Sequence, residues 1–119
     1  MLKIAQIGVG YWGPNLLRNL VANKRCQVTK VVELTQERRD YVRSLYPAIE
    51  VLDDVAGVLE DRDIDGVVIA TPVFTHYDIA TRFLKSGKHV LVEKPLARSV
   101  AEVEDIGKIA KENKHVKKY

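Results

Sequence analysis

The sequence predicts an α/β domain: a doubly wound parallel sheet of strand order 3-2-1-4-5, covered on both faces by helices, with a sixth strand begun at the end. Three observations carry that expectation. Short apolar runs alternate at least five times with stretches of helical periodicity, joined by short links and no low-complexity linker. The first apolar run ends in Gly8-x-Gly10-x-x-Gly13 and passes at once into a helical pattern. Strand–helix–strand crossovers of this length demand parallel pairing and place helices on both faces of the sheet.

Each element has its own signal. Residues 2–7 read as a strand buried on both faces. Leu16, Leu17, Leu20 and Val21 recur at helical spacing within residues 11–22, with Pro14 in the first turn, where its missing N–H is harmless. Val28, Val31 and Val32 favour an extended strand over residues 27–34. Helical spacing returns over residues 35–46 through Tyr41 or Val42, Leu45 and Tyr46, and Pro47 stops it. Residues 49–52 form a brief third strand, after which Asp53 or Asp54 caps a short helix carrying Val55, Val58 and Leu59. Residues 66–70 are the most apolar run and the expected central strand. Thr75 is expected to cap the next helix, whose apolar face is Ile79, Ala80, Phe83 and Leu84, and Gly87 ends it. Residues 89–93 read as a fifth strand. Ser99, with Glu102 three residues on, opens a last helix with a stripe of Val103, Ile106 and Ala110. Residues 115–119 begin the sixth strand.

Composition narrows the classes. A chain of 119 residues, 46% hydrophobic and 29% charged, fits one ordinary globular domain, taken here as a single unit over residues 1–119. No apolar run approaches membrane-spanning length, and the single cysteine, Cys26, fits a reducing cytoplasm and excludes an internal disulfide framework. Cys26 has no neighbouring Cys or His cluster, so it reads as filler and no metal site is expected. The formal charge of +3 is local: Lys108, Lys111, Lys114, Lys117 and Lys118 stand against Glu112 alone near the end, leaving the rest slightly negative. Cations are favoured at a helix C-terminus, so that basicity points to a solvated helix end and not to nucleic acid.

The glycine turn carries the chemistry. Gly8 allows a sharp exit from the strand, Gly10 leaves room for a pyrophosphate, and Gly13 lets the helix pack closely on the sheet. The helix N-terminus then turns unsatisfied N–H groups toward the phosphates. Glu33, twenty positions past Gly13, ends the second strand, where a carboxylate accepts both ribose hydroxyls and repels a 2′-phosphate, favouring NAD over NADP. Arg38 and Arg39 weaken that preference, since a guanidinium stacks on adenine or pairs with a 2′-phosphate. Thr71 and Pro72 follow the central strand at the ligand edge, and His76 opens the next helix beside the same crevice. Glu93, Lys94 and Pro95 end the fifth strand at that edge, placing an acid and an amine by the crevice, with Pro95 a candidate cis bond.

Together these segments look familiar. Gly8-x-Gly10-x-x-Gly13, Val32-Glu33-Leu34 with Arg38, Ala70-Thr71-Pro72 with His76, and residues 87–95 ending in Glu93-Lys94-Pro95 resemble the glucose–fructose oxidoreductase, inositol dehydrogenase and rhizopine-catabolism family of NAD(P)-dependent sugar dehydrogenases. The likeness covers essentially the whole chain and matches the N-terminal, Rossmann-fold half of such enzymes. Gly10-Tyr11-Trp12-Gly13-Pro14-Asn15 looks most like members acting on nucleotide-linked sugars, which puts Tyr11 and Trp12 among the cofactor-site residues. The resemblance implies that Lys94 contacts the substrate hydroxyl and nicotinamide ribose and supports the proton transfer. It also implies that Arg38 lies against the adenine and Glu33 holds its ribose. Glu33 and Thr35 stand where many relatives carry Asp and Asn, and the family's second, sheet-rich substrate domain is expected to lie outside this chain.

Three functions are compatible with that reading: the cofactor domain of a sugar or nucleotide-sugar dehydrogenase, a stand-alone NAD-binding sensor, or an interaction module without nucleotide. A cofactor domain separated from its substrate domain is expected to bind NAD with little turnover, and to self-associate through apolar surface its partner domain would cover.

Overall fold

The computed structural model describes residues 1–10, 13–92, 97–113 and 116–118. Its elements run β1 (Leu2–Ile7), α1 (Gly13–Ala22), β2 (Cys26–Val32), α2 (Gln36–Leu45), β3 (Glu50–Leu52), α3 (Ala56–Leu59), β4 (Gly66–Ile69), a 3-10 turn (Val73–Thr75), α4 (His76–Lys85), β5 (His89–Val92), α5 (Val100–Asn113) and β6 (Val116–Lys118). The strands make one sheet in the order β3-β2-β1-β4-β5-β6, every neighbouring pair parallel. The sixth strand therefore pairs as the sequence suggests. Because the chain moves outward from β1 to β3 and then returns to lay β4 on the other side, the order reverses between β1 and β4. At such a reversal the loops leave a crevice at the carboxyl ends of the strands.

Alternation along the strands divides the core between the two faces. Ala5 and Ile7 join Val67, Ile69, Val90, Val92 and the buried sides of α4 and α5, Phe83, Leu84 and Ile106 among them. On the opposite face Val28, Val31 and Val51 pack with Val9, Leu17 and Val42. A two-residue side-chain period sets this division along β1, β4 and β5, while an extra residue in β2 lets Val28 and Val31, three positions apart, share a face. The β1–β2 register slips between Ile4 and Ala5, so that Ile4 faces Val28 and Ala5 faces Lys30.

Several details depart from the helical pattern. Val21 and Leu45, assigned to apolar faces by their spacing, are exposed, at 41% and 51%; of the alternatives Tyr41 and Val42, it is Val42 that turns inward. Leu17 and Val42 are the buried apolar side chains of α1 and α2, and Gly13 is buried at the start of α1. Each helix is ten residues long and rests on the sheet through one narrow face, so a wider apolar stripe has nothing to cover it. Thr75 does not cap α4 with its side chain; its hydroxyl lies 2.6 Å from both Thr71 Oγ1 and the Pro72 carbonyl, holding the 3-10 turn that precedes the helix. Other expected caps form. Asp54 accepts from the Ala56 N–H at 2.8 Å, and Ser99 accepts from the Glu102 N–H at 3.2 Å. The reciprocal bond from Glu102 reaches the N–H of Arg98, not Ser99. Gly87 closes α4 at φ 86°, with its N–H on the Leu84 carbonyl and the Lys88 N–H on Phe83.

Candidate functional site

Four chain segments leave the carboxyl edge of the sheet around the reversal point: the glycine turn after β1, Glu33 after β2, Thr71 and Pro72 after β4, and the segment after β5. Three of them are described. Tyr11, Trp12, Glu93, Lys94 and Pro95 lie outside the described residues, so the reading of those five positions rests on the sequence.

The turn is shaped by close approach. Gly8 has φ +88°, and a Cβ there would stand 2.7 Å from Thr71 Cγ2 and 3.1 Å from the Ala70 carbonyl oxygen. Only glycine suits both the conformation and the space, because the turn presses against the end of β4. At Gly13 a Cβ would meet Gln6 Nε2 and Val9 at 3.4 Å, so the start of α1 lies directly on the strand it follows. Gly10 passes 3.4 Å from the Ala70 carbonyl oxygen on the same measure. The first and third glycines thus act as their spacing suggests, one for the turn and one for helix approach.

Glu33 is buried, 6% exposed, immediately beyond β2. Its Oε1 accepts the Val9 N–H at 3.0 Å and its Oε2 accepts the Thr35 N–H at 2.7 Å. Burial by itself would raise the carboxyl pKa. The N–H donors of Thr35 and Val9, the Thr35 hydroxyl and the Arg38 charge outweigh it and hold the group below its ordinary value. The carboxylate is therefore charged at neutral pH and joins the glycine turn to the end of β2. Of about four acceptor sites on the carboxylate, the two N–H donors and the Thr35 hydroxyl leave about one for a further donor. A ribose hydroxyl is a donor of that kind.

Of the two arginines weighed in the sequence, the structure separates their placements. Arg38 is exposed on α2 near Glu33. Arg39 donates through Nη1 to the carbonyls of Glu33 and Leu34, both at 2.8 Å, and so fixes the strand exit. Thr71 is half-buried and Pro72 exposed. His76 is 3% exposed, with Nε2 2.7 Å from the Thr71 carbonyl oxygen. The ring, expected beside the crevice, is packed under the loop and braces it. Gln6 belongs to none of the motifs; its one signal in the sequence is a polar residue at the end of an apolar strand, two positions before the first glycine.

A model of an oxidoreductase family with an NAD-binding Rossmann fold matches residues 2–118. The chain belongs to that family. Inositol 2-dehydrogenase of Rhodococcus jostii is 34% identical over 101 residues, covering 84% of this chain and 28% of the relative. Among solved structures, an NAD-binding protein from Listeria innocua superposes with a TM-score of 0.91 at 26% identity, over 99% of this chain and 35% of that one. KijD10, a 3-ketoreductase from Actinomadura kijaniata in complex with NADP and TDP-benzene, gives 0.90 at 25% identity, over 98% and 36%. The chain spans about a third of the length of the curated relatives it matches, between 28% and 35% of the first four. It is the NAD-binding domain of this oxidoreductase family, which confirms the fold and cofactor class expected from the glycine turn. No helix among the described residues is long and apolar enough to cross a membrane.

Proposed function

We propose that this domain holds NAD for a dehydrogenase that moves hydride between nicotinamide and a CH–OH carbon of a sugar or nucleotide sugar. The observation that supports it most is the Glu33 carboxylate, a charged acceptor at the end of β2 that grips the glycine turn through the Val9 N–H. A diphosphate lies along the turn of Gly8, Gly10 and Gly13, facing the N-terminus of α1, where helix dipole and free N–H groups favour an anion. Glu33 takes the adenosine ribose and disfavours a 2′-phosphate by charge. Arg38 lies over the adenine, Tyr11 and Trp12 flank the diphosphate, and Thr71, Pro72 and Glu93 line the path toward the nicotinamide. His76 acts on that path through the Thr71 loop.

When bound, the nicotinamide supplies the hydride acceptor or donor. Lys94 is the residue of this chain assigned to the substrate hydroxyl, where its amine holds and relays the proton that accompanies hydride loss. Orientation of the sugar belongs to a substrate domain beyond this span, a reading supported by the two-thirds of each relative that the chain does not match. Leu34 and Phe74, 82% and 61% exposed beside the carboxyl edge, support a cover there, or self-association of the domain in its absence. The sole cysteine, free in the structure, supports a cytoplasmic setting.

Isothermal titration of the chain with NAD and with NADP tests the cofactor reading. NAD is expected to bind at least about tenfold more tightly, a difference of about 1.4 kcal/mol. Absence of heat with either would remove it. NADH formation by the longer protein with a panel of sugars and nucleotide sugars tests the reaction, and a Lys94→Met variant is expected to abolish turnover while retaining NAD.

A further inference from the structure

Beneath the glycine turn, on the α1 face of β1, the side chain of Gln6 is wholly buried at 0% exposure. Its Nε2 donates to the carbonyl of Gly8 at 3.0 Å and to that of Gly13 at 3.1 Å. These two acceptors decide the amide's orientation, because a flipped amide would set an oxygen against two carbonyl oxygens. The other end, Oε1, is buried and has no hydrogen-bond partner among the described residues. An amide here thus leaves one acceptor unsatisfied, a disadvantage that an apolar residue would avoid.

What the amide achieves is visible in the peptide between Gly8 and Val9. Gln6 holds its carbonyl from below, and Glu33 holds its N–H from the β2 side at 3.0 Å. One residue earlier, the Gly8 N–H is tied to the Val32 carbonyl at 2.7 Å. Peptides next to glycine flip readily, since glycine tolerates both signs of φ. A flip at this position would turn a carbonyl oxygen outward and take the N–H from Glu33. The second bond of Gln6, to Gly13, ties the start of α1 to the same amide, so one side chain spans the first and last glycines of the turn.

We propose that Gln6 is a positioning residue for diphosphate binding: it locks the Gly8–Val9 peptide with its carbonyl inward, so that the turn is set for an anion before the ligand arrives. The proposal rests on the reading that this turn holds a dinucleotide diphosphate. Preorganisation of this kind raises affinity by removing the ordering of the loop from the binding step. Gln6 touches no ligand in this scheme and acts through backbone alone.

Amide hydrogen exchange by NMR, with NAD titration of the same samples, tests it. In the wild-type chain the Val9 amide is expected to exchange as slowly as amides of β1. Gln6→Met keeps length and volume but cannot donate; the Val9 amide then exchanges at least about tenfold faster relative to that of Ile69, and NAD affinity falls about tenfold. A purely structural glutamine would speed both amides together and leave affinity in the folded molecules unchanged. Fast Val9 exchange in the wild type overturns the proposal without need of a variant, as does a Gln6→Met protein that keeps its NAD affinity. If the wild-type chain binds no NAD, the diphosphate reading falls and takes the proposal with it. Intact wild-type binding beside an indifferent variant removes only the role of Gln6.

Discussion

Three glycine-to-alanine substitutions separate backbone strain from steric conflict in one experiment. At Gly107, within α5, a Cβ has open space and the backbone is helical. Alanine there is expected to stabilise by about 0.5–1 kcal/mol, through helix propensity. At Gly87 the space is equally open but φ is +86°, so alanine carries only the left-handed penalty of about 1–2 kcal/mol. At Gly8 the same penalty at φ +88° is joined by a contact of 2.7 Å to Thr71 Cγ2 and 3.1 Å to the Ala70 carbonyl oxygen. The second is backbone and cannot yield without moving the end of β4. Overpacking of this kind adds about 1–3 kcal/mol, for a total near 2–5 kcal/mol. A single domain has about 5–15 kcal/mol in all, so Gly8→Ala folds but with a sharply lowered urea midpoint. Urea denaturation of the three variants measures the series directly. Should Gly8→Ala be no less stable than Gly87→Ala, the close approach of the turn to β4 is wrong, and with it the placement of the site.

Other expectations follow from single groups. Glu33→Gln replaces an acceptor facing a backbone N–H by an amide N–H, and is expected to destabilise by about 1–3 kcal/mol at neutral pH. Because the folded carboxyl pKa lies below its ordinary value, the contribution of Glu33 is complete above that value and is lost as pH falls through the folded one. Urea midpoints of wild type and Glu33→Gln should therefore converge in acid, and a gap constant with pH would refute the charge-assisted grip. Phe83, fully buried between α4 and the sheet, should lose about 3–5 kcal/mol as alanine, seen as a large drop in Tm. Leu34→Ser, at a residue 82% exposed, should stay within about 0.5 kcal/mol of wild type in the same melt; a large loss would mean that Leu34 is covered.

The amino-acid sequence by itself determined the features that depend on near neighbours. The order of strands and helices follows from periodicity, and the sharp turn at Gly8 and the closure of α4 at Gly87 follow from residue types that tolerate a left-handed backbone. The parallel sheet follows too, since a helix between two strands leaves no room for a hairpin. Tertiary structure decided how far each apolar face was covered, exposing Val21 and Leu45 despite their helical spacing and choosing Val42 over Tyr41. It also decided which polar groups meet. Glu33 reaches Val9 across 24 residues, and the His76 ring turns inward to Thr71. Gln6 finds its two carbonyls only because the turn folds back over the strand it leaves. Local preference acts through a residue's own dihedrals and those beside it. A buried hydrogen bond between distant segments needs the sheet already assembled, because only then is water excluded and the alternative partner gone.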